Sequence, residues 1–160
     1  MMITDAKLRK ELLDYLEHPR THAPFAAAVK DFPVAFINKK LPKVPYTPWM
    51  LIEHIRVTQH DMVDFMRNKH YQELEWPKDY WPDPKQKADK NMWNASVKGY
   101  EDDMRALTAM VKNPKTDLLA RIPWGDGQTI AREVIQVIDH AGYHTGELIL
   151  FRRMMGAWKG

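Results

Sequence analysis

The chain has 160 residues, of which 44% are hydrophobic and 28% charged, a length and balance that suit one globular domain with a single sizeable core. Lys and Arg number 24 against 21 Asp and Glu, and this excess of +3 is no nucleic-acid footprint, because no basic block is long or gathered on one helical face. Cysteine is absent, which excludes disulfides, thiolate zinc sites and a cysteine nucleophile within this chain.

Residues 1–16 alternate charge with apolar side chains and lack the apolar core of a signal peptide. No apolar run approaches the roughly 20 residues of a membrane span. The expectation is a soluble, cytoplasmic protein with neither nucleic acid nor membrane as partner. The Lys39-Lys40 and Arg152-Arg153 pairs read as solvated ends.

Residues 4–17 predict a first helix, with Leu8, Leu12 or Leu13, and Tyr15 or Leu16 as its stripe and Thr4 or Asp5 as its cap. His18-Pro19 interrupts it, since the residue before proline avoids the helical region. Residues 22–31 predict a second helical piece with Pro24 in its first turn. Residues 31–46, with Pro33, Pro42 and Pro45, read as an extended crossover pinned by Phe32, Phe36 and Ile37.

Thr47-Pro48 pairs an N-cap with proline at the first helical position and opens the second long helix, which runs to about Asn68. Its core stripe is Leu51, Ile55, Met62, Phe65 and Met66. Residues 69–84 are irregular, broken by Pro77, Pro82 and Pro84, and rich in rings: Tyr71, Trp76, Tyr80 and Trp81. These rings either cover one end of the bundle or border a pocket.

A third long helix is predicted from Pro84 or Lys85 to Asn113, striped by Met92, Ser96, Tyr100, Met104, Leu107 and Val111 and ended by Asn113-Pro114. Residues 118–124 read as a short extended piece. Gly125-Asp126-Gly127 is a turn, and Thr129 caps the last helix. In that helix Ile130, Val134, Val137, Ile138, Ala141, Thr145, Leu148 and Phe151 or Arg152 recur at spacings of three and four, the mark of one buried face. Met50, Met62, Met66, Met92, Met104 and Met110 read as adaptable core filling. No alternating strand pairs and no internal repeats occur, so the fold class is all-α: four long helices with uneven connections.

Seven histidines are present. His18, His22, His60 and His70 fall near helix ends, on polar faces or in loops and read as surface residues. His54 lies on or beside the buried face of the second long helix. His140 and His144 stand four apart in the last, one above the other and about 6 Å apart along the axis. Two imidazoles projecting the same way into a helical core can begin a metal site; they can equally be hydrogen-bonded core residues. The intervening Ala141, Gly142 and Tyr143 leave no HExxH, so the general base of that zinc motif is missing. A third histidine from another helix would complete a three-nitrogen set with an open position, suited to zinc, nickel, iron, manganese or copper.

The histidine early in the second long helix (T-P-W-M-L-I-E-H), the H-x-x-x-H of the last (D-H-A-G-Y-H-T-G-E-L), the G-D-G-Q-T lead-in and the closing L-F-R-R-M-M-G-A-W together resemble the DinB-like (YfiT-like) family of metal-dependent hydrolases and thiol transferases. The resemblance spans nearly the whole chain, 1–160 as a single domain. It implies a four-helix bundle with a crossover between its first two long helices. It also implies a divalent transition metal, zinc or nickel first, held by His54, His140 and His144 near one end of the bundle, and a homodimer. Members of known activity activate a thiol or water on the metal, several with a low-molecular-weight thiol such as mycothiol, bacillithiol or glutathione as cosubstrate.

The expected function is therefore that of a metal-dependent S-transferase or hydrolase acting on a small molecule. The alternatives are a non-catalytic metal- or ligand-binding stress-response protein and a structural dimer with ordinary core histidines. Glu147, three residues after His144, is a candidate to orient an imidazole or a solvated glutamate. Asp61 is a candidate to approach the site, whereas Tyr143 and Glu53 read as structural. No catalytic acid or base is assigned.

Overall fold

The computed structural model describes residues 5–18 and 21–159. Every regular element among them is helical: α1 (Asp5–Glu17), α2 (Phe25–Val29), a 3₁₀ turn (Val34–Phe36), α3 (Pro48–Arg67), α4 (Lys90–Lys112) and α5 (Ile130–Met154). The one β-type pairing among the described residues is an isolated antiparallel bridge between Arg121 and Thr129, where a short extended piece was expected. No helix among them is long and apolar enough to cross a membrane.

The caps follow the local chemistry. The Thr47 side chain accepts from Met50 N at 3.2 Å, and Thr129 does the same for Arg132 N, also at 3.2 Å. Each satisfies one of the four amides that a helix start leaves without an internal partner. At the other end of α5, Gly156 sits at φ 67°, the left-handed position at which a helix commonly stops. The alternative cap at Thr4 lies outside the described residues.

Two elements start or stop away from their expected places. α4 begins at Lys90 rather than at residue 84 or 85, because Asp89 caps it, accepting from Met92 N at 2.8 Å. The preceding stretch is tied to the crossover instead: Asn38 Nδ2 donates to Ala88 O at 2.8 Å, and Ala88 N donates to Asn38 Oδ1 at 3.0 Å. The second helical piece shrinks to α2, five residues long. Its C-terminal carbonyls are taken by Arg152, whose Nη1 donates to the oxygens of Ala27, Ala28 and Lys30, while Nη2 reaches Ala157 O. The reading of Arg152 as a solvated end is thus corrected: it is 7% exposed and also lies over the rings of Phe32 and Trp158. Arg153 and the Lys39-Lys40 pair are exposed.

α3 packs against α4 and α5, α1 packs against the same two helices, and α2 lies on α5. Phe32 and Ile37 are buried and Phe36 partly so, pinning the crossover as expected, and Trp49 N donates to Ile37 O at 2.9 Å. Two apolar clusters fill the interior. One gathers Ile52, Ile55, Trp93, Tyr100 and Leu148 with α2; the other gathers Leu12, Val63, Leu107, Val111 and Val134. Each fully buried aliphatic side chain contributes roughly 1.5–3 kcal/mol. The six methionines of the predicted stripe all pack into these clusters. On α5 the second cluster ends at Ile138 and the first resumes at Ala141, so His140 stands where the two meet.

Candidate metal centre

His54 comes from the buried face of α3, His140 and His144 from the middle of α5. The fold brings all three together, although His54 and His140 are 86 positions apart in the chain. One ring nitrogen from each lies within 4.8 Å of the others. It is the single such group of three or more potential ligand residues among the described residues. His54 and His144 are buried and His140 partly so. The other histidines that sequence set aside, His18, His22, His60 and His70, are exposed, and His60 pairs with Asp103 at 3.0 Å.

Hydrogen bonds fix two of the three tautomers. His54 Nδ1 lies 2.9 Å from Tyr80 O, and a carbonyl can only accept, so Nδ1 carries the proton and Nε2 keeps its lone pair. His144 Nδ1 lies 2.5 Å from Glu147 Oε2, an acceptor as carboxylate, which again frees Nε2. Glu147 Oε1 in turn accepts from Tyr46 Oη at 2.6 Å. Partners of this kind orient a ligating imidazole and raise its basicity. His140 Nε2 stands 3.3 Å from His54 Nε2. Two ligands on one tetrahedral ion, at metal–nitrogen distances of about 2.0–2.1 Å, are separated by about 3.3 Å as well.

Electrostatics keep His54 and His140 neutral. Burial, with the neighbouring His144 and His54 rings, lowers the His140 pKa to about 3. Burial also lowers that of His54, against the opposing pull of its bond to Tyr80. Neutral imidazole is the form that ligates a metal, so neither His54 nor His140 has to lose a proton at neutral pH before binding one.

The aromatic stretch packs on His54 and borders a cavity. Trp81 stacks flat on His54, with centroids 3.9 Å apart and planes 3° from parallel, and Trp76, 66% exposed, meets the same ring edge-on. Tyr80 supplies the carbonyl that orients His54. The Tyr80 and Tyr71 hydroxyls both donate to Asp61, at 2.8 and 2.9 Å, and the same two side chains line a cavity. Asp61 therefore does not join the histidines; it anchors the loop that carries Tyr80. Glu53 is engaged by Arg56 and Ser96, as a structural residue should be, while Tyr143 is 66% exposed and meets His144 edge-on. Tyr46, Tyr80 and Trp81 were not singled out as site residues. The density of rings in the loop pointed at the last two; nothing around Tyr46 marked it.

No protein-family model, no curated protein and no solved structure matches this chain. What fold and site define is an all-helical protein with three histidines placed closely enough to hold a metal ion.

Proposed function

We propose that the chain is a DinB/YfiT-like four-helix bundle that binds a divalent transition metal through Nε2 of His54, His140 and His144 and uses it as a metal-dependent S-transferase or hydrolase. The observation that carries the reading is the convergence of three imidazole nitrogens within 4.8 Å, two with their proton already held elsewhere. The bundle reading is supported by α1 and α3 each packing on both α4 and α5, as expected when a crossover joins two helices that lie diagonally across.

A three-histidine set leaves a coordination position open. When bound, the ion supplies Lewis acidity that lowers the pKa of a coordinated water or thiol and yields a nucleophile at neutral pH. The chain's own residues do the rest. Tyr80 and Glu147 hold two rings in ligating orientation. Trp81 excludes water from one face of His54. The Tyr46 hydroxyl fixes Glu147, and burial with the adjacent carboxylate raises its pKa far above neutrality, so it stays a donor.

Metal content by plasma mass spectrometry, on untagged protein with His54→Ala beside it, tests the reading. The expected result is about one equivalent of a transition metal in the wild type, lost in the variant. No bound metal in the wild type after incubation with zinc and with nickel overturns it. Thiol-transfer and hydrolysis screens with glutathione-class thiols then separate the enzyme from a metal carrier. Light scattering tests the homodimer, which would cover the exposed Ile135, Leu150 and Met154 of α5.

A further inference from the structure

A cavity of about 440 Å³ opens between the second half of α3, the ring-rich loop and the turn before α5. That is the size of a small-molecule site. It contains none of the three histidines, yet Gln136 on its wall lies one helical turn, about 6 Å, before His140.

Four rings wall it: Phe65, Tyr71, Tyr80 and Trp124. Each is held in place. Trp124 Nε1 donates to Phe65 O at 2.7 Å, Phe65 meets Tyr71 edge-on at 5.1 Å, and both tyrosine hydroxyls are bound by Asp61. The faces are thus set before any ligand arrives, which lowers the cost of binding.

The polar lining is one-sided. Asp61, Glu73, Asp126 and Glu133 face a single cation, Arg132, and that guanidinium is already paired with Glu133 at 2.5 Å. Among the described residues neither Glu73 nor Asp126 has an ion-pair partner. Burial, the bond to Asp61 and the charges of Asp61 and Glu73 push the Tyr71 phenol up. Among the lining residues one buried acceptor lacks a donor: Gln128 Oε1. It can reach the ring wall because residue 125 is glycine; a Cβ there would meet Gln128 Oε1 at 2.6 Å and Phe65 Cζ at 2.7 Å.

Free acceptors, unpaired carboxylates and fixed π faces all select the same partner. We infer that this cavity binds an organic ammonium, a protonated primary amine on a small aromatic or apolar body, with its N–H groups on Gln128 Oε1, Glu73 and Asp126 and its cation against the ring faces. The proximity of His140 makes that amine the substrate class of the proposed metal centre. This last step rests on the metal reading; the binding itself does not.

The test uses the full chain stripped of metal by chelator and titrated calorimetrically with phenethylammonium, 2-phenylethanol and phenylacetate. Phenethylammonium is expected to bind at least about tenfold more tightly than the isosteric alcohol, roughly 1.4 kcal/mol, with phenylacetate weakest and the preference falling as salt rises. The exposed pair Glu73→Gln with Asp126→Asn, and separately Gln128→Leu, should each weaken the amine about fivefold or more, while Asp102→Asn on α4 leaves it unchanged. Equal affinity for amine and alcohol, or variants that bind the amine like the wild type, overturns the inference. Amine selectivity in a chain that takes up no metal keeps this inference and removes the metal centre; a loaded metal centre without amine selectivity does the reverse.

Discussion

His144 Nδ1 and Glu147 Oε2 lie 2.5 Å apart, one turn of α5 carrying both the imidazole and the carboxylate that orients it. The two residues are neighbours on one helix face, so the pairing needs no tertiary adjustment. Glu147→Gln keeps the shape and removes the charge. Competition with a chromophoric chelator should show metal affinity falling about 10- to 100-fold, while the thermal midpoint of the metal-free chain barely moves. Unchanged affinity would mean that Glu147 does not support the centre. Tyr46→Phe, one bond further out, should produce a smaller loss.

Asp61 predicts a second, longer-range effect. It touches no histidine, but it anchors the phenol of the residue whose carbonyl orients His54. Asp61→Ala should therefore weaken metal binding through the loop and speed amide exchange across residues 71–81. Asp61→Asn retains an acceptor oxygen and should fall between the variant and the wild type. Fast exchange with intact metal affinity would separate the loop from the site.

Arg152 is a stability prediction. It is buried and donates to four backbone oxygens, three of them at the end of α2. Arg152→Met fills much of the volume but leaves those carbonyls dry. Hydrogen bonds to charged groups are worth about 1.5–3 kcal/mol, so a loss of roughly 2–4 kcal/mol in urea unfolding is expected. Lys at this position should recover only part, since it lacks the planar fork. Arg153→Met, exposed, should stay within about 0.5 kcal/mol of wild type.

Acid should destabilise the metal-free protein through His140. Its pKa is about 3 in the fold against 6.5 for a free imidazole, so between those values the unfolded chain binds a proton that the folded chain refuses. Stability then falls as pH drops from about 6.5 towards 3 and is flat in this respect above. His54, lowered by burial, acts in the same direction. Urea midpoints at three acid pH values, compared for wild type and His140→Leu, measure it; the variant should show the shallower slope, and equal slopes would count against it.

Much of this was legible in the residues themselves. The apolar spacing of α5, the Thr47-Pro48 start of α3 and the Thr129 cap are local signals, and local chemistry decided them. His140 and His144 could be paired because a helix has a fixed period. What stayed hidden depends on elements meeting across the fold. Arg152 reads as a solvated charge until α2 is seen to end beside it. Asp61 shows a helix spacing that suggests the site, yet the loop carries its effect. The late start of α4 was readable in principle, since Asp89 is a good cap; Pro84 drew the boundary forward because proline also suits a first turn.

α1 finds its partners in α4 and α5, and Arg9 on α1 donates to the carbonyls of Val111 and Asn113 at the end of α4 and of Thr116 in the turn beyond it. A helix of this length is marginal alone in water. A ribosome makes α1 well before α4 and α5, and the helix it must cover is completed about a hundred residues later. At roughly 5–20 residues per second, Leu8, Leu12 and Leu16 wait on the order of ten seconds for a surface to pack against. Newborn chains are thus sticky along α1, and a nascent-chain chaperone would find its apolar target there.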